Sequence, residues 1–171
     1  MVEREGVITF EGSPLTLIGD EIKVGDNAPD VTLLAGDLSE RAISTFRGKV
    51  CVIVSVPSLD TPVCDVETRR FNEEAATLGD DVSIVGVSMD LPFAQSRWCA
   101  AAGVERVTVL SDHRDGSFGT AYGVLIKELR LLARAVFVID REGVVRYVQV
   151  VKEITSEPDY GAVIDAVKEM L

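Results

Sequence analysis

Val50-Cys51-Val52-Ile53-Val54-Ser55-Val56-Pro57-Ser58-Leu59-Asp60-Thr61-Pro62-Val63-Cys64-Asp65 changes character at Pro57. Its first half is a nearly unbroken β-branched apolar run, which fits a strand covered on both faces rather than one wetted on one side. Its second half opens a helix. Thr61 suits the N-cap, and Pro62 then takes the first helical position, where its missing N–H is no loss. Cys64 falls at the third helical position, inside the first turn. A doubly covered strand running straight into a helix implies a layer on each side, as in α/β folds.

Working outward, residues 82–87 and Ala135–Ile139 repeat the continuous apolar pattern. Residues 107–110 form a shorter candidate, and 144–151 read as a late strand paired back through Asp140-Arg141-Glu142-Gly143. At the start, Val7–Phe10 and Leu15–Ile18 flank a Gly12-Ser13-Pro14 turn and predict a β-hairpin. Helices are expected over 62–78, over 92–102 with a stop at Gly103, and over 159–171. The first should turn Val66, Phe71, Ala75 and Leu78 inward and Glu67, Arg69, Arg70 and Glu73 largely outward. The last has Val163, Ile164, Val167 and Leu171 at helical spacing. Strand–helix alternation with a closing hairpin predicts an α/β sandwich with a mixed central sheet flanked by helices, the thioredoxin-like layout. With no repeat, low-complexity tract or linker, residues 1–171 are expected to form one domain.

Composition narrows the function. The chain has 171 residues, 47% hydrophobic and 26% charged, enough for a substantial core. A net charge of -11 argues against nucleic acid and anionic membranes as partners, both of which would repel it. The N-terminus shows no secretory pattern and no apolar run is long enough for a bilayer, so a cytoplasmic protein is expected. Three cysteines, Cys51, Cys64 and Cys99, are too few for a disulfide scaffold and point to thiol chemistry or to buried thiols. With no CxxC pair and His113 as the single histidine, the usual zinc spacings are missing.

Cys64 is placed for reactivity. The thiolate is the nucleophile, and an ordinary thiol is mostly protonated at neutral pH. Free N–H groups and the positive end of the helix dipole both favour the anion. The dipole alone contributes only about 1 kcal/mol, so a strong effect needs a second positive group. Asp65 is expected to face solvent, since inward it would oppose the anion. On spacing alone, Cys64 is equally compatible with a small buried filler behind a capped helix.

The string Pro57-Ser58-Leu59-Asp60-Thr61-Pro62-Val63-Cys64 resembles the peroxidatic-cysteine motif of the thiol peroxidases, an atypical two-cysteine peroxiredoxin subfamily. Gly25-Asp26-Asn27-Ala28-Pro29, Ser88-Met89-Asp90-Leu91-Pro92-Phe93-Ala94 and Glu153-Ile154-Thr155-Ser156-Glu157-Pro158-Asp159-Tyr160 agree, so the resemblance spans essentially the whole chain. It implies reduction of hydrogen peroxide and alkyl hydroperoxides, with Cys64 as nucleophile and Thr61 positioning the peroxide. Arg134, which periodicity alone would make a strand-end residue paired with a carboxylate, matches the arginine that stabilises the thiolate.

The resemblance further implies that Cys99, in Ser96-Arg97-Trp98-Cys99-Ala100, resolves a Cys64 sulfenic acid as an intrachain disulfide. Thioredoxin or a similar dithiol reductant and a homodimer follow from the same source. No metal, haem or flavin cofactor enters such a cycle. Two cysteines on separate helices are expected to need local unwinding to reach bonding distance. Cys51, inside an apolar strand, reads as structural. A thiol–disulfide carrier would lack its usual CxxC, and a non-catalytic redox switch using Cys64 and Cys99 would consume no peroxide catalytically.

Overall fold

The computed structural model covers residues 1–171 and is built on a seven-stranded mixed sheet. Its strands are β3 (Thr32–Leu34), β4 (Glu40–Ala42), β5 (Val50–Ser55), β6 (Val82–Ser88), β7 (Val107–Ser111), β10 (Ala135–Ile139) and β11 (Val145–Val150). They are ordered β11-β10-β5-β6-β7-β3-β4. β5, β6 and β7 run parallel, while β10 pairs antiparallel with both β5 and β11. A smaller sheet orders β1 (Glu3–Phe10), β2 (Ser13–Ile18), β8 (Leu125–Ile126) and β9 (Leu131–Leu132). Helices are α1 (Pro62–Leu78), α2 (Pro92–Ala102), α3 (Ser117–Ala121) and α4 (Tyr160–Lys168), with a 3-10 turn at Ile43–Phe46.

The continuous apolar strands divide their side chains between two cores. Val50, Val52 and Val54 of β5 and Val136 and Val138 of β10 pack with Phe71 and Ala75 of α1 and Val163 and Val167 of α4. Cys51, Ile53, Ala135, Phe137 and Ile139 point the other way, toward Phe118, Tyr122 and the small sheet. Strict alternation on a sheet with both faces covered is why these strands read as unbroken apolar runs. The expected thioredoxin-like sandwich with its mixed sheet and N-terminal hairpin is therefore the observed fold.

Two sequence expectations differ. Val66 is half exposed while Glu67 is completely buried, the reverse of the expected faces of α1. The buried seam is Cys64, Glu67, Thr68, Phe71 and Ala75, an i, i+3, i+4, i+7, i+11 stripe set by Cys64 rather than by apolarity. The hairpin also runs further than expected, because β1 begins at Glu3 and absorbs an irregularity between Glu5 and Ile8. Gly6, at φ 73, supplies the left-handed residue there.

Candidate active site around Cys64

β5 delivers the chain to the carboxyl end of the parallel strands, where α1 starts, and Asp90, just after β6, fixes the connection. Its carboxylate accepts from Ser58 Oγ at 2.7 Å, Leu59 N at 2.9 Å and Ser88 Oγ at 2.7 Å. Thr61 is extended, with φ -84 and ψ 146, and caps α1 by accepting the Cys64 N–H at 3.2 Å. The Thr61 hydroxyl donates to the Ser58 carbonyl at 3.1 Å. Its proton therefore stays within the loop rather than on the sulfur.

Cys64 is completely buried, and Arg134, just before β10, reaches its sulfur with Nη1 at 3.2 Å. Arg134 is itself only 2% exposed. Its Nε and Nη2 both donate to the Ile154 carbonyl, at 3.0 and 2.7 Å, which fixes the plane of the guanidinium. Nη1 also donates to Glu67 Oε2, while Glu67 Oε1 has no partner. Burial pushes the Glu67 carboxyl up to about 7 against the pull of Arg134, with Glu157 adding to the rise. A buried arginine whose fork reaches a carbonyl, a carboxyl and a thiol is far from the surface ion pair that periodicity alone would give it.

The other cysteines sit differently. Burial alone pushes Cys51 up to about 12, as befits a structural thiol. Cys99 is half-buried in α2, and its thiol is likewise raised by burial. All three thiols are free. α1 and α2 are tied together by the residues beside the two cysteines: Trp98 Nε1 donates to Asp65 Oδ1 at 3.0 Å, and Arg69 Nε meets Asp65 Oδ2 at 3.1 Å. Arg69 Nη1 also donates to the Ala102 carbonyl at 3.2 Å, and its guanidinium lies 5.7 Å from the Trp98 ring centre. Asp65, expected to face solvent, is partly exposed and engaged by Trp98 of α2.

Beside the first turn of α1, Pro62, Val63, Val66, Thr155, Ser156 and Glu157 line an open cleft of about 460 Å³. Sequence reasoning brought Thr61, Cys64 and Arg134 to one place, and the structure puts them there. It missed Glu67 and Asp90. Glu67 was recoverable: once Cys64 faces inward, a residue three positions on must share its face.

The redoxin family model matches residues 23–164. Over 164 residues the chain is 57% identical to a thiol peroxidase of Bacillus subtilis and 60% identical to one of Halalkalibacterium halodurans. Each alignment covers 96% of this chain and 98% of the relative. A peroxiredoxin-like protein from Aquifex aeolicus superimposes with a TM-score of 0.90 at 48% identity, covering 96% of both chains. A thiol peroxidase from Chromobacterium violaceum shares the fold, with a TM-score of 0.85 at 22% identity over 95% of both chains. With the fold, the capped cysteine and the buried arginine all in place, the chain belongs to the redoxin family and, within it, to the thiol peroxidases.

Proposed function

We propose that this chain reduces hydrogen peroxide and alkyl hydroperoxides with Cys64 as the attacking thiolate. The supporting observation is the Arg134 Nη1 hydrogen bond to Cys64 Sγ in a site closed to water. There a guanidinium that cannot lose its charge acts with little screening, on sulfur first and then on the breaking O–O bond. The sulfur attacks the terminal peroxide oxygen, the S–O bond forms as O–O breaks, and the other oxygen leaves as water or alcohol after gaining a proton. Peroxide approaches through the cleft beside Pro62 and Val66. Thr61 positions it by turning its hydroxyl from Ser58 to the substrate.

Cys64 is left as a sulfenic acid. The Cys99 thiol condenses with it, forming an S–S bond and releasing water, and a thioredoxin-type dithiol returns both cysteines to thiols. α1 and α2 part locally for this step, because the residues flanking the two cysteines are hydrogen-bonded across the helices. The cycle belongs in a reducing compartment, the cytoplasm, and the active form is a homodimer.

The test is to mix reduced protein with limiting peroxide and map every thiol by mass spectrometry, alongside Cys64→Ser and Cys99→Ser variants. A Cys64–Cys99 bond within one chain, with sulfenic acid on Cys64 when Cys99 is replaced, is the expected result. Oxidation at Cys51 or Cys99 while Cys64 stays reduced would overturn the assignment.

A further inference from the structure

Arg134 brings one positive charge to a buried site that holds two potential anions, Cys64 and Glu67. A thiolate, a carboxylate and one guanidinium together would leave a net negative charge away from water, which is costly without a partner. A single proton shared by the thiol and carboxyl groups makes the site neutral. Peroxide reduction then consumes the thiolate, and the neutral sulfenic acid leaves Arg134 without its counter-ion. Glu67 is the only other group on that guanidinium able to replace it.

We infer that Glu67 is the charge-balancing residue of the site, holding the proton while Cys64 is a thiolate and giving it up as the O–O bond breaks. The inference rests on Cys64 being the nucleophile. The step balances: thiolate, hydroperoxide and Glu67 carboxylic acid become sulfenic acid, alcohol and Glu67 carboxylate. Sulfur is oxidised, the peroxide is reduced, its own hydrogen stays on the oxygen bound to sulfur, and the leaving oxygen takes the Glu67 proton. Net charge is unchanged throughout.

Three features support the assignment. Glu67 shares Nη1 with the sulfur rather than the atoms that orient the guanidinium, since Ile154 alone holds Nε and Nη2. Its Oε1, buried and without a partner, is an oxygen on which a proton relieves a stranded negative charge. Burial, opposed by Arg134, pushes the group up to about 7, so the proton is held at mildly acid pH. The titratable and charged groups around Glu67 are Cys64 on its own helix, Arg134 before β10, Glu157 in the segment leading into α4, and Tyr160 at its start. The Tyr160 hydroxyl donates to Glu157 at 2.8 Å, and Glu157 adds negative charge that favours the protonated carboxyl.

Proton stoichiometry tests this. In a Cys99→Ser background, oxidation by hydrogen peroxide stops at the sulfenic acid, and a pH indicator in weak buffer counts protons. Ultraviolet thiolate absorbance tracks Cys64 in the same samples, Cys51 being silent because burial pushes it to about 12. With Glu67 present, oxidation at about pH 6 should take up roughly no protons, rising to about one per Cys64 near pH 9, where Glu67 is already ionised. Glu67→Gln should keep the thiolate and take up about one proton at both pH values.

Equal stoichiometry in the two proteins, with sulfenic acid formed in both, overturns the role of Glu67 alone. Loss of the thiolate in Glu67→Gln also overturns it, because the carboxylate charge would then be what holds the site together. If that variant fails to fold, the series with Glu67 present decides, and a flat uptake across the pH range rejects the proposal. Failure of Cys64 to oxidise at all overturns the functional reading together with this one.

Discussion

Cys51 and Cys64 are both buried thiols, yet only Cys64 accepts a hydrogen bond from a cation. Cys51 meets apolar neighbours and is held protonated, whereas Cys64 meets Nη1 of Arg134. On the proposed mechanism, reactivity is a property of the neighbour rather than of exposure. Replacing Arg134 by lysine tests how much of that neighbour is geometry. A lysine ammonium has no planar fork with which to reach the Ile154 carbonyl, Glu67 and the sulfur together. The rate constant for Cys64 oxidation in single turnover is expected to fall by about 10²-fold, as when one preorganised donor is lost. A lysine variant as fast as the parent would show that charge alone suffices. Thr61 and Cys64 were placed by the helix-start pattern, while the roles of both, and Arg134 altogether, were legible only through the family resemblance. Asp90 was not legible, since its task is to fix the connection between β5 and α1 through partners far along the chain.

Helices α1 and α2 carry Cys64 and Cys99 and meet through the Asp65–Trp98–Arg69 cluster. Partly exposed pairs of this kind contribute about 0.3–1 kcal/mol each. If parting of the two helices limits disulfide formation, Asp65→Asn should speed closure of the Cys64–Cys99 bond by roughly two- to fivefold. Rapid acid quench and mass spectrometry of the sulfenic acid and disulfide would measure it, and an unchanged or slower closure would remove the cluster from the process. The bounds of α1 and α2 were readable because Thr61–Pro62, Leu91–Pro92 and Gly103 are local signals. β3, β4, β8 and β9 were not: at two or three residues each they are too short to show a period, and β3 and β8 are fixed in their sheets only through β7 and β2, distant in sequence.

Across the whole molecule, the N-terminal hairpin is joined to the segment that carries Ile154. Glu153 accepts from Thr9 Oγ1 at 2.8 Å, Gly12 N at 3.0 Å and Thr155 Oγ1 at 2.7 Å, while Ile154 N donates to the Thr9 carbonyl. These bonds, the Gly12 amide foremost, hold the carboxyl down at about 2. A lowered value in the folded chain means that this stabilisation is complete above the ordinary carboxylate range and is lost as pH falls toward 2. Glu153→Gln should therefore melt at a lower temperature than the parent at neutral pH, with the gap closing on acidification. Parallel melting curves at every pH would show the bonds to be without consequence. The plan of a sheet covered on both faces was legible in the doubly apolar strands, but this long-range tie was not, because a lone glutamate in a loop gives no sign of what it will meet.

Trp98 is the single tryptophan of the chain, and its indole N–H rests on the residue next to Cys64 while its backbone adjoins Cys99. If Cys64 and Cys99 join as proposed, α1 and α2 part where this indole bridges them, and its surroundings change with them. On that cycle the protein carries its own lamp at the seam of the two helices, and its emission is expected to change in colour or brightness as the disulfide forms, without any label.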